Sequence, residues 1–160
     1  MSKWKKIRHD FRKATKELNK FARLFAPKVK CRLDGEFAAE KGKRINYSIV
    51  LSQKETKWFC EDFIRRYPAA KGLDAFTLSF LHELGHIVTW DDMIDDSKER
   101  AALFNAASDY ESNIKYFNLY NERLATDWAG TFITENPTYV RDFEIIILRK
   151  LEKAWRHYDG

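Results

Sequence analysis

Between Phe76 and Trp90 the chain carries a single charged side chain, Glu83, and that residue stands between two histidines in His82-Glu83-Leu84-Gly85-His86. A stretch this apolar must be covered by the rest of the fold, and a buried carboxylate without a partner is costly. On a helix, residues four apart lie one above the other on one face. The two imidazoles are therefore placed to share one metal ion, and a cation beside Glu83 would offset the cost of burying it. Gly85, between the histidines, permits another backbone to come close, at a cost of about 1 kcal/mol relative to Ala within a helix.

Length and composition bound the rest. A chain of 160 residues reads as one domain, residues 1–160, large enough to bury a sizeable core. Its two cysteines, Cys31 and Cys60, form no metal-type pair and read as free thiols in a reducing compartment. The opening Met1-Ser2-Lys3-Trp4-Lys5-Lys6 leads into charged sequence with no apolar run, so neither a secretory leader nor a transmembrane segment is expected. A cytoplasmic protein is the expectation. Lys3 to Lys30 holds eleven Lys and Arg against two acids, Asp10 and Glu17. Such a helix could make nonspecific contact with nucleic acid or an anionic membrane surface, although a charge run is more often only a solvated face. The spacing of Ile7, Phe11, Leu18, Phe21 and Leu24 predicts a helix that docks its other side on a core.

The expected order is a basic N-terminal helix within residues 1–26, stopped by Pro27, then two or three antiparallel strands. Val29, Cys31 and Leu33 alternate with basic residues, Asp34-Gly35 and Glu40-Lys41-Gly42-Lys43 read as turns, and Ile45, Tyr47, Ile49 and Leu51 share one face. Helical spacing then runs through Trp58, Phe59, Phe63 and Tyr67 to Pro68. The motif helix follows from about Asp74, a plausible N-cap, to Val88. Trp90 to Asp96 reads as an acidic loop lacking the spacing of a calcium site. Further helices are expected from Ser97, over about Tyr116 to Thr134, and over residues 138–158. The fold class expected is α+β, mostly helical, with a short antiparallel sheet beside the motif helix.

An imidazole pair holds Zn²⁺ at about 2.0–2.1 Å per nitrogen, and a catalytic site needs a third protein ligand and one open position. The extended motif that ends in a third histidine would need Gly at position 89 and His at 92; the chain has Thr89 and Asp92. Asp92 as ligand would require a sharp turn. A carboxylate from a later helix is the better candidate, in Asn121-Glu122-Arg123-Leu124-Ala125-Thr126-Asp127-Trp128-Ala129. Glu122, Ala125 and Ala129 share a face, and the two alanines allow close packing that brings Glu122 to the metal. Asp127, about 140° round the helix, is the alternative third ligand, or else the group that orients His82 or His86 through its other nitrogen.

His82-Glu83-Leu84-Gly85-His86 followed by Glu122-x-x-Ala125-x-x-Trp128-Ala129 resembles the gluzincin peptidases, above all the small ImmA/IrrE-like metallopeptidases of phages and mobile elements. The likeness covers about Arg44 to Phe132. Thr126 stands where many members carry Asp or Asn. The resemblance implies a zincin-like fold in which Ile45 to Leu51 forms an edge strand that could hold an extended substrate by strand addition.

The expected function is zinc-dependent hydrolysis of a peptide bond in a protein substrate. His82, His86 and Glu122 would hold Zn²⁺, and Glu83 would act as general base on the zinc-bound water and pass the proton to the leaving nitrogen. Tyr110, Tyr116, Tyr120, Tyr139 and His157 are candidates for an additional oxyanion donor. The alternative is a regulatory DNA- or protein-binding module with a structural or degenerate zinc site. Its support is the basic first helix; no helix-turn-helix or zinc-finger pattern accompanies it. A non-proteolytic zinc hydrolase would use the same ligands.

Overall fold

A computed structural model describes residues 2–33, 38–40, 44–47, 53–105 and 109–159. Helices carry the architecture: α1 (Lys3–Ala22), α2 (Gln53–Arg66), α3 (Ala75–Val88), α4 (Ser97–Asn105), α5 (Tyr110–Phe117), α6 (Tyr120–Glu135) and α7 (Pro137–Asp159). Three short strands, β1 (Lys30–Leu33), β2 (Ala38–Glu40) and β3 (Arg44–Tyr47), lie between α1 and α2. No helix among the described residues is long and apolar enough to cross a membrane. The chain divides into two compact units, one of residues 1–49 with 138–160 and one of residues 50–137.

In the first unit α1 is amphipathic. Ala14, Leu18, Phe21 and Ala22 are buried, and its cations face solvent. Phe21 packs on Phe143 of α7 with ring centroids 4.3 Å apart. The buried face of α7 continues through Val140, Ile147, Leu151 and Ala154, whereas Ile146 is about half exposed. Asn19 accepts a 2.7 Å hydrogen bond from the Cys31 amide, which ties α1 to β1.

The strands overturn the expected fold class. Helices make up most of the described residues, so the architecture is all-α rather than α+β, and the three short strands do not form the antiparallel sheet expected. The strand order is β1-β3-β2, with β1 parallel to β3 in the register Cys31↔Ile45 and β2 antiparallel to β3. The strands fall in the first unit and the motif helix in the second. Alternation fixes which side chains share a face, not which strand becomes the neighbour. Four positions, 34–37, separate β1 from β2, whereas an Asp-Gly hairpin needs a two-residue loop. In the order β1-β3-β2, β3 is the central strand, not the edge that strand addition would need. The turns at Asp34-Gly35 and Gly42, and Ile49 and Leu51, lie outside the described residues.

The second unit is built round α3. Asp74 caps it, accepting from the Phe76 amide at 2.9 Å. Ten of its fourteen residues are buried, from Phe76 to Ile87, so helices must pack on more than one side. α6 and α2 do so. Helix-on-helix burial of this kind covers the apolar surface of α3. The helix expected over Tyr116 to Thr134 is two helices: α5 ends at Phe117, and Leu119 is the N-cap of α6.

Candidate metal centre

The site forms where α3 crosses α6. Helical spacing sets His82 and His86 on one face of α3, with ring centroids 4.7 Å apart. Ala125 and Ala129, fully buried on α6, leave room for α3 to come in against them, and Gly85 uses it. A Cβ on Gly85 would lie 2.9 Å from the Ala125 Cα, closer than real contacts allow. One turn before Ala125, Glu122 is thereby brought up to the two histidines.

Three ligand atoms converge, one each from His82, His86 and Glu122, all within 4.8 Å of one another. Glu122 Oε2 lies 3.2 Å from His82 Nε2 and 2.5 Å from His86 Nε2. Donors round a tetrahedral ion at about 2.0–2.1 Å stand roughly 3.3 Å apart, so the first distance already fits and the second must open by less than 1 Å. Glu122 Oε2 is buried, and apart from the two imidazole nitrogens it has no hydrogen-bond partner. A buried carboxylate oxygen in that condition is expensive, and it is the oxygen that faces both imidazole nitrogens. The group can hold a metal ion.

The remaining polar atoms of His82 and Glu122 are already occupied. His82 Nδ1 is 2.9 Å from the Thr126 hydroxyl, which leaves Nε2 for the metal. Phe59 of α2 sets its ring edge-on to His82 at 5.2 Å. Glu122 Oε1 accepts from Arg100 Nη1 at 3.2 Å. Arg100 is itself fixed by two bonds to Asp96, at 3.3 and 3.1 Å, and donates to the Tyr116 hydroxyl at 2.8 Å. Tyr116 is hydrogen-bonded in turn to Glu122.

Burial works against the Glu122 carboxylate, but the imidazoles of His82 and His86 outweigh it and hold the group well below the usual carboxylate range. The reciprocal balance applies at His82, where burial opposes the charge and the Glu122 carboxylate more than restores it, raising the pKa. Burial and Glu122 push the Tyr116 phenol up, so it remains a hydroxyl.

Glu83 is half-buried on α3, next to His82. Asp127 does not join the cluster: its Oδ1 accepts from Tyr67 at 2.6 Å, and the side chain is 45% exposed. This corrects its expected alternative role as ligand or as the partner of a histidine, because one residue further along α6 is a rotation of about 100° and Thr126, not Asp127, faces His82. Asp92 is exposed in the 3-10 turn Trp90–Asp92. Of the proposed oxyanion donors, Tyr116 alone is placed at the ligands among the described side chains. Tyr110 packs edge-on against Trp58, Tyr120 is half exposed, and Tyr139 stacks on Phe21 in the other unit; the side chain of His157 lies outside the described residues.

Thr126 and Arg100 escaped the sequence reading. Thr126 carried a usable signal, since it follows Glu122 by four residues and so lies on the same face of α6. Arg100 carried none, being 22 positions from its partner. No family model matches the chain, and neither the curated proteins nor the solved structures contain a match to it.

Proposed function

We propose that this chain is a zinc-dependent peptidase of the gluzincin type, with His82, His86 and Glu122 holding the metal and Glu83 acting as general base. The observation that carries the reading is the buried Glu122 Oε2 of α6, which faces the imidazole nitrogens of His82 and His86 on α3, where the half-buried Glu83 directly follows His82. Two imidazoles and a carboxylate are a common donor set for catalytic zinc, and the hydroxyl on His82 Nδ1 and the guanidinium on Glu122 Oε1 orient those donors.

Zinc, when bound, supplies a Lewis acid that acidifies water and polarises the scissile carbonyl. The protein's own part begins with Glu83, whose carboxylate removes a proton from the attacking water and delivers it to the departing amide nitrogen. Thr126 fixes the His82 ring, and Arg100 together with Tyr116 holds Glu122 from the side away from the histidines. Phe59, edge-on to His82, limits water round that ring.

The test is Glu83→Gln, assayed on a mixed peptide library beside the unchanged protein. The reading expects the variant to bind the metal normally and to cleave nothing above background. Cleavage at the unchanged rate by Glu83→Gln would refute the role of Glu83, and a metal-loaded protein that cleaves no peptide in the library would remove the peptidase assignment.

A further inference from the structure

The charge of this chain is segregated between its two units. Residues 1–49 with 138–160 contain 20 Lys and Arg against 9 Asp and Glu, a formal charge of +11; residues 50–137 contain 9 against 15, or −6. The metal centre therefore sits in the acidic unit, and a strong positive field belongs to the other.

Within the basic unit α1 concentrates that charge. Lys5, Arg12, Lys16 and Lys20 are exposed and fall within about 80° of one another round the helix, a stripe running most of a length of roughly 30 Å. Lys6, Arg8 and Lys13 flank it, also exposed. Both acids of the helix are withdrawn from this surface. Asp10 is buried, and Glu17 accepts from Lys150 of α7 at 2.8 Å. No acid is left on the exposed side of α1 among its described side chains, which an ordinary solvated helix would be expected to interleave with its cations.

We propose that α1 is a binding surface for the phosphate backbone of duplex DNA, without base specificity. Two other polyanions fit less well. A helix that binds an anionic membrane lays its apolar face into the lipid, and the apolar face of α1 is spent on the protein's own core, with Ala14, Leu18, Phe21 and Ala22 no more than 4% exposed. A single-strand site pairs its cations with aromatic platforms for the bases; among the described side chains of α1, Phe21 is buried and Phe11 half-buried. A straight row of cations with its acids removed, about 6 Å apart from Arg12 to Lys20, suits the dense and regular phosphates of a duplex, one charge per about 1.7 Å of axis.

The experiment is fluorescence anisotropy of a labelled mixed-sequence duplex with the full chain, across a salt series. Neutralising about four phosphates gives a slope of log K on log salt near −3.6, so affinity should fall roughly 100-fold between about 50 and 200 mM salt. The quadruple variant Lys5→Gln, Arg12→Gln, Lys16→Gln, Lys20→Gln should lose most of the affinity and nearly all of the slope, with unchanged circular dichroism and metal content. Lys57→Gln with Lys115→Gln, which removes exposed charge from the acidic unit, should change neither. No duplex binding at about 50 mM salt, equal losses in the two variants, or binding to anionic phosphatidylserine vesicles in preference to the duplex would each overturn the proposal.

Discussion

Gly85 and Ala125 meet backbone to backbone: a Cβ on the glycine would lie 2.9 Å from the Ala125 Cα and closer still to its carbonyl oxygen. Backbone atoms cannot rotate away as a side chain can, so Gly85→Ala must push α3 off α6. Overpacking of this kind costs about 1–3 kcal/mol, to be read as a lower urea midpoint at unchanged slope. The same displacement separates Glu122 from His82 and His86, so metal affinity should fall as well. A fully stable Gly85→Ala protein with normal metal binding would mean that the two helices do not cross this closely.

The hydroxyl of Thr126 is the atom that holds His82 Nδ1. Thr126→Val keeps the shape and removes the partner. Loss of such an outer contact typically weakens metal binding by about 10–100-fold, measurable by competition with a chromophoric chelator. Thr126→Ser, which restores the hydroxyl, should recover most of that loss. Equal affinities for the Val and Ser variants would show that the hydroxyl does not orient the ring.

Arg100 joins Asp96, Tyr116 and Glu122 in one part-buried group. Arg100→Met strands the Glu122 carboxylate, whose side chain is 5% exposed. Breaking a buried pair by removing one member costs about 3–5 kcal/mol; the partly exposed guanidinium moves the expectation to the low end of that range. Arg100→Lys should rescue little, because one ammonium cannot reproduce the planar fork that reaches three partners. Chemical denaturation of the three proteins decides it, and near-equal stability of the Lys and Arg forms would count against the network.

How much of this was readable in the chain depends on the range of each interaction. The histidine pair, Glu83 between them and the Asp74 cap are local, set by positions two to four apart on one helix, and local geometry follows from the order of residues. The face shared by Glu122, Ala125 and Ala129 could be seen because small residues on one side of a helix invite close packing. Arg100 could not, since nothing near position 100 indicates position 122. The strands failed for a related reason. Alternation about Cys31 and Ile45 shows a strand and its faces, yet the parallel pairing of β1 with β3 depends on how ten intervening residues return the chain. The helix break at Asn118 and Leu119 was equally hidden, there being no Pro or Gly to mark it.

In the other unit, Glu17 offers a pH test that the metal does not touch. The hydrogen bond from Lys150 leads the effects on this carboxyl and, against the opposing effect of burial, holds its pKa below the ordinary value of 4.5. A lowered native pKa contributes stability above the unfolded value, and that contribution disappears as the pH falls through the native one. Glu17→Gln should therefore cost up to about 1 kcal/mol at neutral pH, as expected of a partly exposed pair. The difference from the unchanged protein should close as the pH drops below about 4.5. Thermal unfolding at a series of pH values would show it; a gap that widens towards acid would reverse the assignment.

The claim that the other readings depend on is that Glu122, not Asp127, completes the site with His82 and His86. Zinc stoichiometry after equilibrium dialysis against a buffered zinc solution tests it most directly, using the unchanged protein, Glu122→Gln and Asp127→Asn, each checked for helical content. The account predicts one zinc per chain in the unchanged protein and in Asp127→Asn, and loss of that zinc in a folded Glu122→Gln. Full zinc in Glu122→Gln, or its loss in a folded Asp127→Asn, would contradict it.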